Sequence, residues 1–190
     1  MAFDDPILRD IPTAFETERL LIRAPRPGDG PELNAAVLES LDDLRPWMPW
    51  ADHAPSLEES ERNVRHAHVR FLAREDLRLH LFLKGTETLV GGSGLHRMDW
   101  RVPKFEIGYW CRTSFQGQGY VTEAVRGICS FAFEVLGARR LEIRCDPRNE
   151  RSRRVAERAG FRLEGHLHND TVDPSGWVRD TLIYGLLPEG

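Results

Sequence analysis

Long apolar runs, paired cysteines and an excess of basic residues are all missing from this sequence. No apolar run in its 190 residues approaches the roughly 20 residues that cross a membrane, and residues 1–10 are acidic and polar, unlike a signal peptide. The net charge is −4, from 26 Lys and Arg against 30 Asp and Glu, whereas nucleic-acid-binding proteins more often carry a basic excess. We therefore expect a cytoplasmic protein that binds neither membranes nor nucleic acid.

Cysteine is scarce, and its odd number and wide spacing argue against a disulfide framework and a C-x-x-C motif. The three residues lie in apolar segments, at Cys111, Cys129 and Cys145. We expect them to be the buried, reduced thiols of a cytosolic protein.

The histidine pairs do not indicate a metal site. His66 and His68 are two residues apart on a predicted helix, so their side chains diverge. His166 and His168 would share one face of a strand, but the sequence indicates no third ligand near them. We expect no bound metal ion.

Hydrophobic periodicity predicts a mixed α/β fold in which residues 1–190 form one domain. The predicted strands cover residues 18–24, 77–84, 88–97, 104–112, 140–145, 161–168 and 177–187. Two predicted helices begin after Asp29 and Ser56. Two more cover about residues 119–136 and 149–159. This order places hairpins before a βαβ crossover.

Capping signals mark three helix ends. Asp29 and Ser56 each have an acidic residue three positions further on, at Glu32 and Glu59, as in a capping box. Gly160 follows the last predicted helix, where glycine is the preferred residue for the left-handed turn that ends it.

A glycine-rich turn, Gln116–Gly119, connects a strand directly to a helix. Its glycines let a ligand approach the main chain closely, and the free N–H groups of the first helical turn attract an anion. The lysine of a phosphate-binding P-loop and the G-x-G-x-x-G spacing of a dinucleotide site are both missing. The turn therefore predicts an anion site of another kind, with a plain connecting turn as the alternative.

Two segments resemble the GNAT (general N-acetyltransferase) superfamily. Residues 106–124 resemble its strand–turn–helix, and the family pattern Q/R-x-x-G-x-G/A is read here as Gln116, Gly119 and Val121. Val121 departs from the small residue expected there, which implies a tighter fit around its amide. Residues 149–161 are similar to the element N-x-x-S-x-x-V/L-x-E-x-x-G-F that follows the fifth strand of the family.

This resemblance implies a central, mostly antiparallel sheet with flanking helices, in which the fourth and fifth strands splay apart. It also implies acetyl-CoA as co-substrate without a metal, with the pantetheine arm between those strands and the pyrophosphate on the glycine turn. The residues implied to bind the cofactor are Tyr109, Trp110, Cys111, Gln116, Gly117, Gln118, Gly119, Tyr120, Val121, Asn149 and Ser152. For Asn149 the alternative role is to cap its own helix.

The family reaction is the direct attack of an amine on the thioester, so the cysteines are not needed as nucleophiles. The resemblance implies that Glu106 accepts the amine proton, and the alternative for Glu106 is a surface ion pair with Arg101 or Lys104. Asp170, in a predicted loop, is the rival base. Ser152 is implied to donate a hydrogen bond to the departing thiolate, or else it binds main-chain groups in the first turn of its helix.

Residues 16–23 and 44–50 are similar to the branch of the family that acetylates the N-termini of ribosomal proteins. We therefore expect a protein α-amine as the acceptor, and Trp47, Trp50 and His96 at its entrance. The tryptophans could instead form a hydrophobic lid, and His96 could simply cap its strand. A small-molecule amine (a polyamine, an amino acid or an aminoglycoside) and a non-catalytic acyl-CoA-binding module are the alternative functions. Members of this family are often dimers, which allows a homodimer.

Overall fold

Eight strands and four helices make up the described part of the chain, residues 5–188 of this computed structural model. The strands are β1 Ala14–Glu16, β2 Leu20–Arg23, β3 Leu77–Leu83, β4 Leu89–Asp99, β5 Lys104–Cys111, β6 Arg140–Cys145, β7 Arg162–Val172 and β8 Val178–Leu186. The helices are α1 Gly30–Leu44, α2 Leu57–Leu72, α3 Tyr120–Glu134 and α4 Glu150–Arg158. Residues 1–4, which belong to the N-terminal segment compared above with a signal peptide, lie outside the described residues, as do 189–190. Among residues 5–188, no helix has both the length and the apolar character that crossing a membrane requires.

The elements follow the predicted order, with two differences. β1 was not predicted because its three residues are too few to show a periodicity. β7 continues to Val172, so Asp170 lies on a strand and the predicted loop is wrong. The chain passes a bulge after Leu167 and then resumes pairing with β8 at Thr171, a continuation that the polar residues between them concealed.

The strands form one mixed sheet in the order β1-β2-β3-β4-β5-β6-β8-β7. Neighbouring strands are antiparallel throughout, except that β5 and β6 are parallel because α3 connects them as a crossover. The mostly antiparallel mixed sheet expected from the sequence is therefore confirmed.

β5 and β6 separate soon after they meet. Their ladder has only three pairs, which join Lys104–Glu106 to Arg140–Glu142. β5 then continues beside β4 alone, and β6 continues beside β8 alone. The edges that face the gap keep main-chain N–H and C=O groups that no ladder satisfies. The splay implied by the family resemblance is confirmed.

Helices α3 and α1 cover opposite faces of the sheet. Val125 and Ile128 of α3 are fully buried in the core cluster that contains Leu81. Ala36 of α1 packs with Phe82, which follows Leu81 along β3 and so points to the other face. Burying Val125 and Ile128 stabilises the fold by roughly 3–6 kcal/mol, so α3 is firmly held at the end that carries the glycine turn.

Two of the three capping signals are confirmed. The Ser56 hydroxyl accepts a hydrogen bond from the Glu59 N–H at 3.1 Å, and the Glu59 carboxylate accepts one from the Ser56 N–H at 2.7 Å. Gly160 follows α4 with φ +92°, in the left-handed region. These two signals mark the start of α2 and the end of α4 correctly.

The third signal is right in position only: Asp29 directly precedes α1, but its side chain makes no capping hydrogen bond. Arg23 donates two hydrogen bonds to the Asp29 carboxylate, both 2.7 Å long, and His80 Nδ1 lies 3.1 Å from it. Burial alone would raise the pKa of Asp29, but the hydrogen bonds with His80 and Arg23 hold that pKa well below its usual value. Glu32, the expected partner in the capping box, pairs with Arg112 instead. The Asp29 carboxylate therefore bonds to side chains of strands β2 and β3, whereas the sequence predicted that it caps α1.

Replacing Asp29 with Asn separates these two roles, because Asn caps a helix as well as Asp does. We expect Asp29→Asn to lower the free energy of unfolding by about 3 kcal/mol, since it leaves the mostly buried Arg23 without its carboxylate. Urea unfolding at pH 7 measures the change. Asp42→Asn, at an exposed carboxylate of the same helix, is the control and is expected to be nearly neutral. A nearly neutral Asp29→Asn would return Asp29 to the capping role.

Candidate active site

A cavity of about 510 Å³ opens where β5 and β6 separate. This volume is within the range of roughly 300–1,000 Å³ that is usual for small-molecule sites. Its walls come from β5, from the starts of α3 and α4, and from the segment after α1. All but one of the residues predicted to bind the cofactor line it, namely Tyr109, Trp110, Cys111, Gln116, Gly117, Gly119, Tyr120, Val121, Asn149 and Ser152. The sequence therefore identified residues that the fold brings together.

Gln118 is the exception, because its side chain turns away from the cavity. The side-chain amide of Gln118 donates a hydrogen bond to the Ser114 carbonyl at 3.0 Å. The main-chain carbonyl of Gln118 accepts a hydrogen bond from the Arg19 side chain at 3.1 Å. The Gln118 side chain is thus bonded within the turn, and its contact with the cofactor stays a prediction. What Gln118 offers at this place is its main-chain N–H.

The start of α3 forms a cradle for an anion. Gly117 and Gly119 have φ values of +74° and +84°, which glycine adopts without strain. No group among residues 5–188 accepts a hydrogen bond from the main-chain N–H groups of Gly117–Thr122. The acidic side chain of this turn, Glu123, is directed away and held by Arg19 at 2.6 Å. The free N–H groups and the helix dipole together favour a phosphate group here.

Three arginines of α4 add positive charge to the same cavity, although their sequence favours a solvated helix face over a contact with the 3′-phosphate of the cofactor. Arg151, Arg154 and Arg158 line it. Their spacing of three and four residues places them on one face of a helix, which is the signal that could have found them. The Arg151 guanidinium donates a hydrogen bond of 2.6 Å to the Gln116 side chain, so it is tied to the glycine turn.

A second cavity of about 200 Å³ adjoins the first. The two share Trp47, Met48, Tyr109, Asn149 and Ser152. The second cavity also contains one acid of β5 and two arginines, Glu106, Arg144 and Arg179. An anion cradle and a buried carboxyl group thus lie at the two ends of one connected space.

Glu106 is a mostly buried acid at the edge of the strand gap. Burial raises the pKa of Glu106, and the positive charges of Arg97 and Arg144 oppose that effect. Its carboxylate lies 3.3 Å from Arg97 Nη1, so the predicted partners Arg101 and Lys104 are both wrong. The reason is the irregular pairing after His96, which brings Arg97 towards Glu106. A raised pKa makes this carboxylate a stronger base than an exposed one.

Asp170 is placed less favourably for proton transfer. It lines neither cavity, and its carboxylate pairs with Arg144 at 2.9 Å. The hydrogen bond from Thr181 and the charge of Arg144 lower the pKa of Asp170. A carboxylate with a lowered pKa is a weak base, so the structure favours Glu106 over its rival.

Tyr109 and Ser152 meet where the two cavities join. The Tyr109 hydroxyl donates a hydrogen bond to the Ser152 carbonyl at 3.0 Å and lies 3.0 Å from the Ser152 hydroxyl. Burial raises the pKa of Tyr109, so this hydroxyl keeps its proton. Asn149 caps α4 by accepting a hydrogen bond from the Ser152 N–H at 3.0 Å, which confirms the capping role. Two hydroxyl groups are therefore fixed at the centre of the space.

The three residues predicted at the acceptor entrance are separated by the fold. Trp47 lines both cavities. Trp50 lines neither of them; it is half exposed and packs edge-on against Trp110, which itself lines the first cavity. His96 is directed to Asp76, with 3.0 Å between His96 Nδ1 and the carboxylate, and lines neither cavity. Among these three residues, only Trp47 is positioned to touch a ligand in the cavities.

The three cysteines are free thiols; Cys129 and Cys145 are buried as expected, whereas Cys111 is only partly buried. Burial raises the pKa of Cys111 to about 11 and also raises the pKa of Cys145. Cys111 lines the first cavity and Cys145 the second, but a protonated thiol is a poor nucleophile. The site therefore favours direct transfer between bound ligands over a covalent thiol intermediate.

Comparison with known proteins identifies the family. Residues 19–162 match the family described as "Acetyltransferase (GNAT) domain". The chain is 31% identical over 182 residues to YdaF, a candidate ribosomal N-acetyltransferase of Bacillus subtilis (strain 168), with 92% of this chain and 94% of YdaF covered. It is 30% identical over 135 residues to the ribosomal-protein-serine acetyltransferase of Escherichia coli (strain K12), with 68% and 74% covered.

Solved structures share this fold. The crystal structure of the microcin C7 self-immunity acetyltransferase MccE, in complex with acetyl-CoA and AMP, superposes with a TM-score of 0.87 at 22% identity. The superposition covers 93% of this chain and 97% of MccE. At that identity the likeness shows the fold alone.

Gly119→Ala tests the anion cradle, with Gly137→Ala as its matched control. Both glycines have a positive φ, at +84° and +67°, so each change strains the backbone by about 1 kcal/mol. Only Gly119 lies in the cavity. We expect both variants to lose similar stability in thermal unfolding. In calorimetric titration, Gly119→Ala should bind coenzyme A at least about tenfold more weakly, because strain in the turn misdirects the N–H groups. Equal affinity in the two variants would remove the turn from the binding site.

Proposed function

The chain belongs to the acetyltransferase (GNAT) family and is an N-acetyltransferase, and from that premise we propose that it transfers the acetyl group of acetyl-CoA to the N-terminal α-amine of a protein. A ribosomal protein is the first candidate acceptor. The observation that carries this proposal is the pair of connected cavities, which have an anion cradle at one end, Glu106 at the other and two hydroxyl groups where they meet.

The first cavity is suited to the cofactor. A Cβ on Gly117 would project into open space, so the turn leaves room for the pyrophosphate to reach the N–H groups of Gly117–Thr122. Arg154 and Arg158 supply positive charge for further phosphate groups. The free edge of β5 beyond Glu106 offers main-chain groups to the amides of the pantetheine arm, as a sheet edge does to an added strand. The thioester would then lie near Tyr109 and Ser152.

The second cavity is suited to the amine. An α-amine has a pKa of roughly 7.7–8.0, so its deprotonation at pH 7 costs only about 1 kcal/mol, whereas a lysine side chain, with a pKa of about 10.4, costs about 4.6 kcal/mol. A single carboxylate of raised pKa is sufficient to deprotonate an α-amine and marginal for a lysine side chain. Glu106 holds that carboxylate in the cavity, and Trp47 provides an apolar wall for the residue that carries the amine.

The departing thiolate needs a hydrogen-bond donor more than a strong acid, because its parent thiol has a pKa near about 8.5. Ser152 was expected in this role, and Tyr109, which lies 3.0 Å from it, is equally close to the junction of the cavities. Its raised pKa keeps the Tyr109 hydroxyl protonated, and that proton would reach the thiolate when the hydroxyl turns from the Ser152 carbonyl. We assign the donor function to this pair of hydroxyl groups.

The relatives support a protein acceptor, since YdaF and the Escherichia coli enzyme both carry ribosomal names. A small amine is the nearest alternative, because the cofactor cavity would be the same for either acceptor. A binding module without turnover is the second alternative. The buried Glu106, whose ionisation costs stability, would have no purpose in such a module.

Glu106→Gln separates catalysis from binding. We expect kcat to fall by roughly 10²–10⁴-fold while the affinity for acetyl-CoA is kept, because only the proton acceptor is lost. In the unaltered enzyme, activity should fall as pH decreases through the raised pKa of Glu106, and this acid limb should vanish in the variant. The fold should not be weakened, since a carboxyl group with a raised pKa destabilises the protein when it ionises.

Asp170→Asn is the control for this test, and it should retain most of the activity. A reversed outcome, with a large loss in Asp170→Asn and little in Glu106→Gln, would make Asp170 the base.

A panel of acceptors tests the proposed function itself. Release of coenzyme A thiol would be measured with peptides that begin with Ser or Ala, with the same peptides blocked at the N-terminus, and with spermidine, free amino acids and an aminoglycoside. We expect kcat/KM to be at least about tenfold higher for the free peptides and the blocked peptides to be inert. Preference for a small amine would establish the first alternative. Tight binding of acetyl-CoA without turnover of any amine would establish the second.

A further inference from the structure

Three metal-ligating side chains meet on the outer hairpin β7–β8, away from both cavities. His166 Nε2 lies 2.7 Å and His168 Nδ1 lies 2.9 Å from the same carboxylate oxygen of Asp180. One ligand atom from each of the three residues lies within 4.8 Å of the other two. None of the three residues lines either cavity of the acetyltransferase site.

The hairpin explains why the sequence did not indicate a third ligand. Asp180 follows His168 by twelve residues and returns to it only because β8 pairs with β7. The register shifts between Leu167 and Thr171, and Asn169 takes a left-handed φ of +52° in that bulge. This irregularity brings the His168 ring to the same carboxylate as the His166 ring.

The carboxylate of Asp180 is held in one orientation. Its Oδ1 accepts a hydrogen bond from the Asn169 N–H at 3.0 Å, which leaves Oδ2 for the two imidazole rings. A carboxylate that is fixed by a main-chain donor on one oxygen and points the other at two imidazole nitrogens has the arrangement of a metal ligand with its supporting contact.

The distances suit a divalent transition metal after a small adjustment. Bonds of about 2.0–2.1 Å in tetrahedral geometry place ligand atoms roughly 3.3 Å apart, so the present separations of 2.7 and 2.9 Å must widen by about half an ångström. The two imidazole rings are 42% and 75% exposed at the side chain, so they can move without disturbing the core. The exposure also leaves the fourth coordination position open to water.

We propose that His166, His168 and Asp180 form a binding site for a divalent transition metal ion, of which Zn²⁺ is the representative. Two imidazoles and one carboxylate are the donor set that such ions share, and softer or harder ions would prefer thiolates or several oxygens. A bound ion replaces the protons that the three side chains now share and joins β7, the outermost strand of the sheet, to β8. This proposal departs from the expectation of no metal, which was drawn from the missing third ligand.

Calorimetric titration of Zn²⁺ into the metal-free protein, with any histidine tag removed, tests the proposal. We expect one Zn²⁺ per chain, and at least about tenfold weaker binding in His166→Ala, His168→Ala and Asp180→Asn. His66→Ala removes an exposed histidine from α2, outside the cluster, and should bind as the unaltered protein does. Zn²⁺ should also raise the thermal unfolding temperature of the unaltered protein, and a chelator should reverse the increase.

Two outcomes would overturn the proposal. The first is the absence of one-to-one binding in the unaltered protein. The second is unchanged affinity in His168→Ala, a variant that cannot be lost to misfolding because the His168 side chain is 75% exposed. An equal loss in His66→Ala would likewise contradict it, since the binding would then be scattered over surface histidines. Coenzyme A affinity, measured in the same variants, should not change, so the result does not depend on the acetyltransferase site.

Discussion

The site depends on the short contact between β5 and β6. Three residue pairs hold the two strands together, and beyond Glu106 and Glu142 they diverge. Because a sheet normally satisfies its main-chain groups across every pair of strands, the divergence creates both a gap and two free edges. The first cavity opens at this gap, the glycine turn follows the far end of β5, and α4 follows the far end of β6. Loss of the divergence would therefore close the path between the anion cradle and Glu106.

The two ends of the connected cavities differ in their electrostatic properties. At the α3 end, free N–H groups and the arginines of α4 favour phosphate groups. At the other end, burial raises the pKa of Glu106 because it disfavours the ionised carboxylate. The ion pair with Arg97 acts in the opposite direction, since it favours the ionised form. The acid is thus kept as an effective proton acceptor at a cost in stability, which is a common property of functional sites. Asp29 shows the opposite balance, in which two partners lower the pKa of a carboxylate and stabilise the fold.

The features that the sequence predicted are those carried by local patterns. Alternation of apolar residues located every strand but β1, and Ser56 and Gly160 marked helix ends. Residues 106–124 together with residues 149–161 indicated ten of the twenty residues that line the first cavity. Most of the errors concern contacts between different strands and helices. Asp29 bonds to β2 and β3 and not to its own helix, and Glu106 pairs with Arg97 through an irregularity in β4. Pairings of this kind depend on register and bulges, which periodicity does not encode.

The central claim is that the free edge of β5 and the start of α3 hold the cofactor together. Amide hydrogen exchange with and without saturating coenzyme A measures this at each residue. On binding of coenzyme A, we expect slower exchange at the gap-facing amides of residues 107–111 and at Gly117–Thr122, with little change in β7. Protection of Gly117–Thr122 without protection of residues 107–111 would mean that the strand gap does not receive the pantetheine arm. That result would contradict a shared role of β5 and α3 in holding the cofactor.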